Sequence, residues 1–466
     1  MDMNNLLIVI AIFLPLIFAC YLLVKKINLS LVNKKILKYG LLILNLFSFI
    51  VFLIKKLFFK DFLLTLNIFR FENVKLETGI NINNINIDFL LFAAFLFLLI
   101  SVYSYLFFKK KKQFVLTKQR YNILFSLFIF LTYGFIVSID LIQSLVFYIL
   151  SGILIFIFAY CDIFKNNADY NITRFYKILC IGDIAFLSGI LLVFKNVLNS
   201  GYNAVLNYNA LNLACDTLLN SGSYFELNIL ILCFVAALIT RLFTVPCNCF
   251  YSFSMNSSNL LYVILMSAVT PIFAYLMFFN VLSCIQLDLN FKFIFEMYLL
   301  FSLIVSLILI LFEKSFKIIF GHLTSCISAL FIFLYLKSEA YNVIYLYFFV
   351  CIILFSLISY LLINDKTSFK KRIINVKKGF LIERFYIYMF EKLPLKLSNI
   401  FVILNKIITE NIFYGLVVFF KLISYYFILK TKKASIKILI KDILIIFVLC
   451  ILLVIFIALF GNFGEV

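Results

Sequence analysis

Charge is what this 466-residue chain has least of. Only 13% of its residues are Asp, Glu, Lys or Arg, against 65% that are hydrophobic, and the mean hydropathy is +1.14. Soluble domains carry about 25% charged residues, so a water-soluble globule is excluded. Tryptophan is absent, while Phe, Ile, Asn and Lys are abundant; that bias fits an AT-rich genome, an organelle's or a reduced bacterium's. There is no glycine-rich phosphate loop. The 11 cysteines form no cluster, and "PCNC" (Cys247, Cys249) lacks both zinc-ligand spacing and a second pair. Nucleotide, flavin, iron–sulfur and metal sites are therefore not expected in this chain. No small-residue cleavage site follows the first apolar run, so no cleavable signal peptide is expected.

What is present is a succession of apolar runs of about 20 residues, the length that spans a bilayer as a helix. Spans are expected at 6–24, 37–54, 87–108, 121–138, 141–160, 175–194, 227–245, 260–282, 293–312, 316–336, 343–363 and 443–460. The formal net charge of +20 resembles a nucleic-acid signal, but the basic residues sit in short loops where they set topology. Lys25, Lys26, Lys34 and Lys35 follow the first span; Lys109 to Lys112, Lys118 and Arg120 follow the third; Lys165 and Arg174 the fifth; Lys370, Lys371, Arg372, Lys377 and Lys378 the eleventh. With those loops inside, both termini face out. The lysines of 55–88 are the exception. Residues 61–87 alternate in places and read as a short extramembrane hairpin. Residues 195–226 read as a long, Asn-rich outer loop. Residues 380–440 place Leu397, Ile400, Phe401, Leu404, Ile407 and Ile408 at helical spacing among lysines, the pattern of an amphipathic surface helix leading to a final anchor; one or two poor spans within 399–429 are the alternative.

Few charges fall inside the spans. Asp183 lies in the sixth, where a carboxylate costs roughly 3 kcal/mol on insertion scales. Arg241 lies in the seventh, with four residues between it and Pro246, whose missing N–H predicts a helix break. Lys317 opens the tenth span, and the only histidine, His322, follows five residues on. A helix interrupted inside the membrane is a recurrent device of ion-moving proteins. Asp183, Arg241 and Lys317 are therefore proton-pathway candidates by default. The alternative is a structural Asp–Arg pair joining two helices.

Several stretches resemble one family, in the family's order. "IGDIAFLSGI" is similar to Gly-Asp-Phe-Gly-Phe-Leu-Leu-Gly-Ile, matching at Gly182, Asp183, Phe186, Leu187, Gly189 and Ile190. "SIDLIQSLVFYILSG" keeps Asp140, Gln143 and Gly152 of Asp-Asn-x-x-Gln…Trp-Glu-x-x-Gly. "TRLFTVP" resembles Lys-Ser-Ala-Gln-Phe-Pro, with Arg241 at the lysine and Pro246 at the proline. "FKIIFGHLTSC" keeps Lys317 and Ser325 of Asp-Ile-Lys-Lys-Ile-x-Ala-x-Ser-Thr-x-Ser-Gln. "ERFYIYMFEKLPL" and "YGLVVFF" (Gly415, Leu416, Val417) are similar to the segments that lead into a lateral helix. The family is chain 5 of NADH–ubiquinone oxidoreductase, the distal antiporter-like membrane subunit of respiratory complex I. The resemblance implies an all-α polytopic antiporter-like bundle of about 12 transmembrane helices with a broken seventh helix. Its parts would be 1–120 (helices 1–3 and the hairpin), 121–282 (a first repeat, helices 4–8), 293–363 (a partial second repeat, helices 9–11), 380–440 (the lateral helix) and 441–466 (the anchor). It also implies a non-redox part in H+-translocating NADH:ubiquinone reductase, without cofactors of its own. The expected partners are other membrane-arm subunits, above all the adjacent antiporter-like chain, and lipids such as cardiolipin. The expected location is the mitochondrial inner membrane, or a bacterial inner membrane.

In that family a lysine on the broken helix exchanges protons, and a glutamate on the fifth helix biases its proton affinity through the nearby charge. Here the glutamate position is Ile149 and the lysine is Arg241, which keeps its proton in any ordinary cycle. The family's histidine on the eighth helix falls on Met266; those on the eleventh fall on Tyr347 and Cys351, and its lysine on Phe355. Nothing after Ile363 resembles the family's next three helices. The expectation is a subunit retained for architecture, with proton translocation reduced or lost, or one whose missing helices come from a separate polypeptide. The competing readings are a multisubunit cation/proton antiporter or membrane-bound hydrogenase subunit, and an unrelated solute transporter.

Overall fold

The computed structural model describes residues 3–338 apart from 27–33, 59–60, 72–73, 112–114, 161–167, 200–203, 206–207, 258–259, 269, 283–288 and 314–315. The spans expected at 343–363 and 443–460 and the surface helix expected at 380–440 lie outside the described residues. The protein is an all-α polytopic membrane protein: among the described residues, eight helices are long and apolar enough to cross a bilayer.

In chain order, α1 (Met3–Lys26) and α2 (Lys34–Leu57) precede a hairpin of β1 (Phe62–Phe71) and β2 (Val74–Ile82). Then come α3 (Asn84–Lys111), α4 (Val115–Ile136), α5 (Leu141–Tyr160) and α6 (Ala168–Asn199). After β3 (Ala204–Val205) and α7 (Asn209–Asn220) follow α8 (Tyr224–Leu242), α9 (Asn248–Ser257), α10 (Leu260–Ala268), α11 (Thr270–Met277), a π-helical turn (Phe278–Leu282), α12 (Leu289–Phe312) and α13 (Phe316–Ser338). The ten spans expected between 6 and 336 each fall on helix, because an apolar segment in lipid must satisfy its backbone within itself. The span expected at 260–282 is divided into α10, α11 and the π turn, with Pro271 in the first turn of α11.

The hairpin expected at 61–87 closes at Ile82 in an antiparallel ladder that runs from the Phe62–Ile82 pair to the Phe71–Val74 pair. α3 takes the remainder, capped by the Asn83 Oδ1 that accepts the Asn86 N–H at 2.7 Å. The expected outer loop at 195–226 is corrected. α6 runs on to Asn199, β3 adds a parallel strand beside β2, α7 occupies Asn209–Asn220, and α8 begins at Tyr224. Composition hid α7 because its burial is local: Ala210, Leu211, Ala214, Cys215 and Leu218 cover the bundle while Asn and Asp face out.

α4 is enclosed by the bundle: every residue from Tyr121 to its end at Ile136 is buried, and so are the next four to Asp140. Two of its polar side chains bond within their own helix: Ser126 Oγ donates to Ile123 O at 2.9 Å and Thr132 Oγ1 to Phe128 O at 2.8 Å. α6 shows the opposite arrangement, one face to lipid and one to protein. Ile181, Ile184, Leu187 and Leu191 are exposed in a helical stripe; Asp183, Phe186, Ile190 and Val193 on the other face are buried.

A candidate charge pair beside the broken helix

The seventh span breaks where Pro246 predicts. α8 ends at Leu242, Phe243 adopts a left-handed conformation (φ 56°, ψ 30°), and the Val245–Pro246 peptide is cis. A left-handed non-glycine residue costs about 1–2 kcal/mol, so the surroundings must hold it. Phe243 stacks on Tyr251 of α9 with centroids 3.8 Å apart. Ser325 Oγ of α13 donates to Phe243 O at 2.5 Å. On α12, Ser302 Oγ accepts the Val245 N–H at 3.1 Å, Tyr298 Oη donates to Val245 O, and the Thr244 and Tyr298 hydroxyls lie 2.8 Å apart. One turn on, Asn248 Nδ2 donates to Ser306 Oγ at 3.4 Å. Tyr298, Ser302 and Ser306 recur every fourth residue, a hydroxyl rail on an otherwise apolar helix. Backbone groups released in the membrane interior must find such partners.

Arg241 lies just before this break and is fully buried. Its Nη2 donates to Asp183 Oδ1 at 3.2 Å and to Tyr148 O at 2.7 Å, and its Cζ sits 4.0 Å from the centroid of the Tyr148 ring. A guanidinium over an aromatic face gains cation–π attraction, about 2 kcal/mol or more once desolvated. The room is made by glycine: a Cβ on Gly152 would lie 2.9 Å from Nη2. A Cβ on Gly182 would lie 2.0 Å from Thr240 Oγ1, so glycine lets α6 close on α8. Tyr148 is itself pinned by its Oη donating to Ala237 O at 2.8 Å. Three elements thus build the site: α5 with Tyr148 and Gly152, α6 with Asp183, and α8 with Thr240 and Arg241.

The pairing is incomplete. Arg241 Nε and Nη1 are buried and find no hydrogen-bond partner among the described residues. A buried ion pair is a weak source of net stability, yet removing one partner costs about 3–5 kcal/mol because the other charge is left stranded. Asp183 can gain or lose a proton; a guanidinium does not. Residue 149, next to Tyr148, is isoleucine, and Met266 is buried, so neither supplies a second switching group.

The third candidate is elsewhere. α13 meets the break at Ser325 and meets α9 one turn earlier, where His322 Nδ1 and Ser252 Oγ lie 3.2 Å apart. Lys317 is eight residues before Ser325, about 12 Å along the helix, in the first turn of α13 and half-buried. The structure joins Asp183 to Arg241, beside the break at Pro246, and leaves Lys317 at a helix end. The sequence reading missed Tyr148, Thr240, Tyr298 and Ser302; only the four-residue hydroxyl spacing on α12 was a usable signal. No group of three or more His, Cys, Asp or Glu able to hold a metal occurs among the described residues.

No protein-family model and no curated protein matches the sequence. A solved structure does match in shape: a chain of the membrane-bound sulfane sulfur reductase, an archaeal respiratory membrane complex. The TM-score is 0.61 at 17% identity, over 76% of this chain and 70% of the other. The two chains share a fold. At that identity the likeness concerns architecture alone, and it agrees with a polytopic helical bundle.

Proposed function

We propose that this chain is a membrane-arm subunit of a proton-pumping NADH:ubiquinone oxidoreductase, in the place of the distal antiporter-like subunit and kept mainly for architecture. The observation that carries the reading is the Arg241–Asp183 pair seated over Tyr148 beside the break, with Ile149 next to it. It has the layout of an antiporter-like centre in which the group that should exchange protons is a guanidinium and the group that should switch it carries no charge. Such a centre keeps the helices together, and its capacity to move protons is reduced or lost. The chain would contribute no redox chemistry, and the neighbouring antiporter-like subunits would do most of the pumping. The segment 380–440 would lie along those neighbours, with lipids such as cardiolipin between, in a mitochondrial or bacterial inner membrane.

The test is to solubilise native membranes and follow the chain on a native gel. Co-migration with NADH-oxidising activity in a large complex supports the reading; migration alone, or in a small complex, removes it. A second reading has the fold likeness behind it: a subunit of another respiratory or cation/proton antiporter complex. In that case the large band would lack NADH oxidation.

A further inference from the structure

The hairpin is held to the bundle by a clamp around one buried acid. Gln143, in the first turn of α5, addresses the Gly79 peptide from both sides: its Nε2 donates to Gly79 O at 2.9 Å and its Oε1 accepts the Gly79 N–H at 3.2 Å. Two residues along β2, the Asn81 N–H donates to Val137 O at 2.9 Å. Position 79 admits no side chain, since a Cβ there would lie 1.9 Å from Leu64 O and 2.7 Å from Ile139 Cδ1.

Inside this clamp stands Asp140, 1% exposed, immediately before α5. Its Oδ1 accepts the Ile142 N–H at 3.3 Å, as an N-capping aspartate does. Its Oδ2 is buried and has no hydrogen-bond partner among the described residues. The nearby hydroxyls are engaged elsewhere: Ser144 Oγ donates to Leu141 O at 2.7 Å, Ser138 Oγ to Phe135 O at 2.8 Å, and the Ser138 and Tyr208 hydroxyls lie 2.9 Å apart. A buried oxygen with full negative charge and no donor is far costlier than a neutral hydroxyl with no acceptor. The charged or titratable groups that act on Asp140 are Glu77, two residues from Gly79 on β2, and Tyr208 from the segment before α7. Burial pushes the Asp140 carboxyl up to about 7 against the pull of the Ile142 and Leu141 N–H groups, and the like charge of Glu77 adds the smallest push in the same direction.

We propose that Asp140 is a proton-binding latch for the hairpin: with a proton on Oδ2 the hairpin stays seated on the α4–α5 turn, and loss of that proton loosens it. The reaction is the transfer of one H+ between solvent water and the Oδ2 lone pair. The seated form holds the proton more tightly than a released one, so seating is strongest at low pH. It weakens as pH rises from the ordinary carboxylate value of 3.8 through about 7. Gln143 and Asn81 are neutral and supply a pH-independent remainder, so the latch loosens without releasing outright. The proposal does not depend on which complex the chain belongs to.

Hydrogen–deuterium exchange of the hairpin peptide, measured on the full chain in lipid across pH and compared at each pH with Asp140→Asn, is the test. Wild-type opening should rise about tenfold or more relative to Asp140→Asn between about pH 5.5 and about pH 8. Glu77→Gln should move the midpoint to lower pH. If Asp140→Asn does not fold, the native protein's carboxyl C=O infrared band titrating near neutral pH, shifted by Glu77→Gln, carries the test. Equal pH dependence in Asp140→Asn, no pH dependence in the wild type, or no such infrared band overturns the proposal.

Discussion

The bundle holds two kinds of ion pair, and they work differently. Among the described residues, three keep the lysine in contact with solvent: Lys56 with Asp88 at 2.7 Å, Lys195 with Glu226 at 3.0 Å and Lys337 with Glu296 at 2.7 Å. Each joins two helices that pack together, α2 with α3, α6 with α8, and α13 with α12. Each lysine is at least a third exposed, so its charge stays in contact with solvent, and the Lys195–Glu226 pair, exposed on both sides, contributes little, about 0–1 kcal/mol. The fourth pair is Asp183 with Arg241, the arginine fully buried. There the question is how costly either partner becomes alone. Rim pairs orient helices; the interior pair constrains which residues can coexist.

Two of the lysines that broke the loop pattern are held within the bundle. Lys56 is matched by Asp88, and Lys55 Nζ donates to Asn5 Oδ1 at 3.2 Å. Lys55 and Lys56 are therefore bonded within the bundle rather than left to specify orientation.

The difference can be attacked from the interior outward. Asp183→Leu strands a guanidinium and should cost about 3–5 kcal/mol, read as loss of the folded, assembled chain in membranes. Asp183→Leu with Arg241→Met should recover most of that; equal loss in the double variant would mean the pair is not self-contained. Asp183→Asn should lower assembly before turnover, and an assembled complex with reduced pumping stoichiometry would contradict an architectural role. Gly152→Ala should push Nη2 off Tyr148 O, an overpacking loss of about 1–3 kcal/mol, visible as a lower thermal midpoint in detergent. Tyr298→Phe removes the hydroxyl that serves Val245 O and Thr244, at about 1–3 kcal/mol for the acceptor left buried, with the same readout. Smallest of all, Lys195→Ala should change stability by no more than about 1 kcal/mol, with the difference fading in high salt. A rim variant as damaging as Asp183→Leu would erase the distinction.

The hydrophobic runs were legible because a bilayer makes length and apolarity nearly sufficient for a helix. Asp183 and Arg241 stood out for the same reason, as costs in a setting that selects against them. Pro246 marked the break because it lacks an N–H. Other features were illegible at the level of residues. α7 is a short helix whose apolar face is defined only by what it covers, so an Asn-rich loop was the natural expectation for 195–226. Tyr148 reads as one more aromatic in an apolar run until Arg241, 93 residues later, is laid over its ring.

By itself, then, the sequence determined that this protein lives in lipid, roughly where its helices run, where the seventh breaks and which charges need a partner. Those follow from transfer free energies and proline chemistry, which act residue by residue. Tertiary structure decided who the partners are. Asp183 is 58 residues from Arg241, Ser325 is 82 from Phe243, and Gln143 is 64 from Gly79. A hydrogen bond depends on positions in space to a few tenths of an ångström, and only the packing of whole helices sets those.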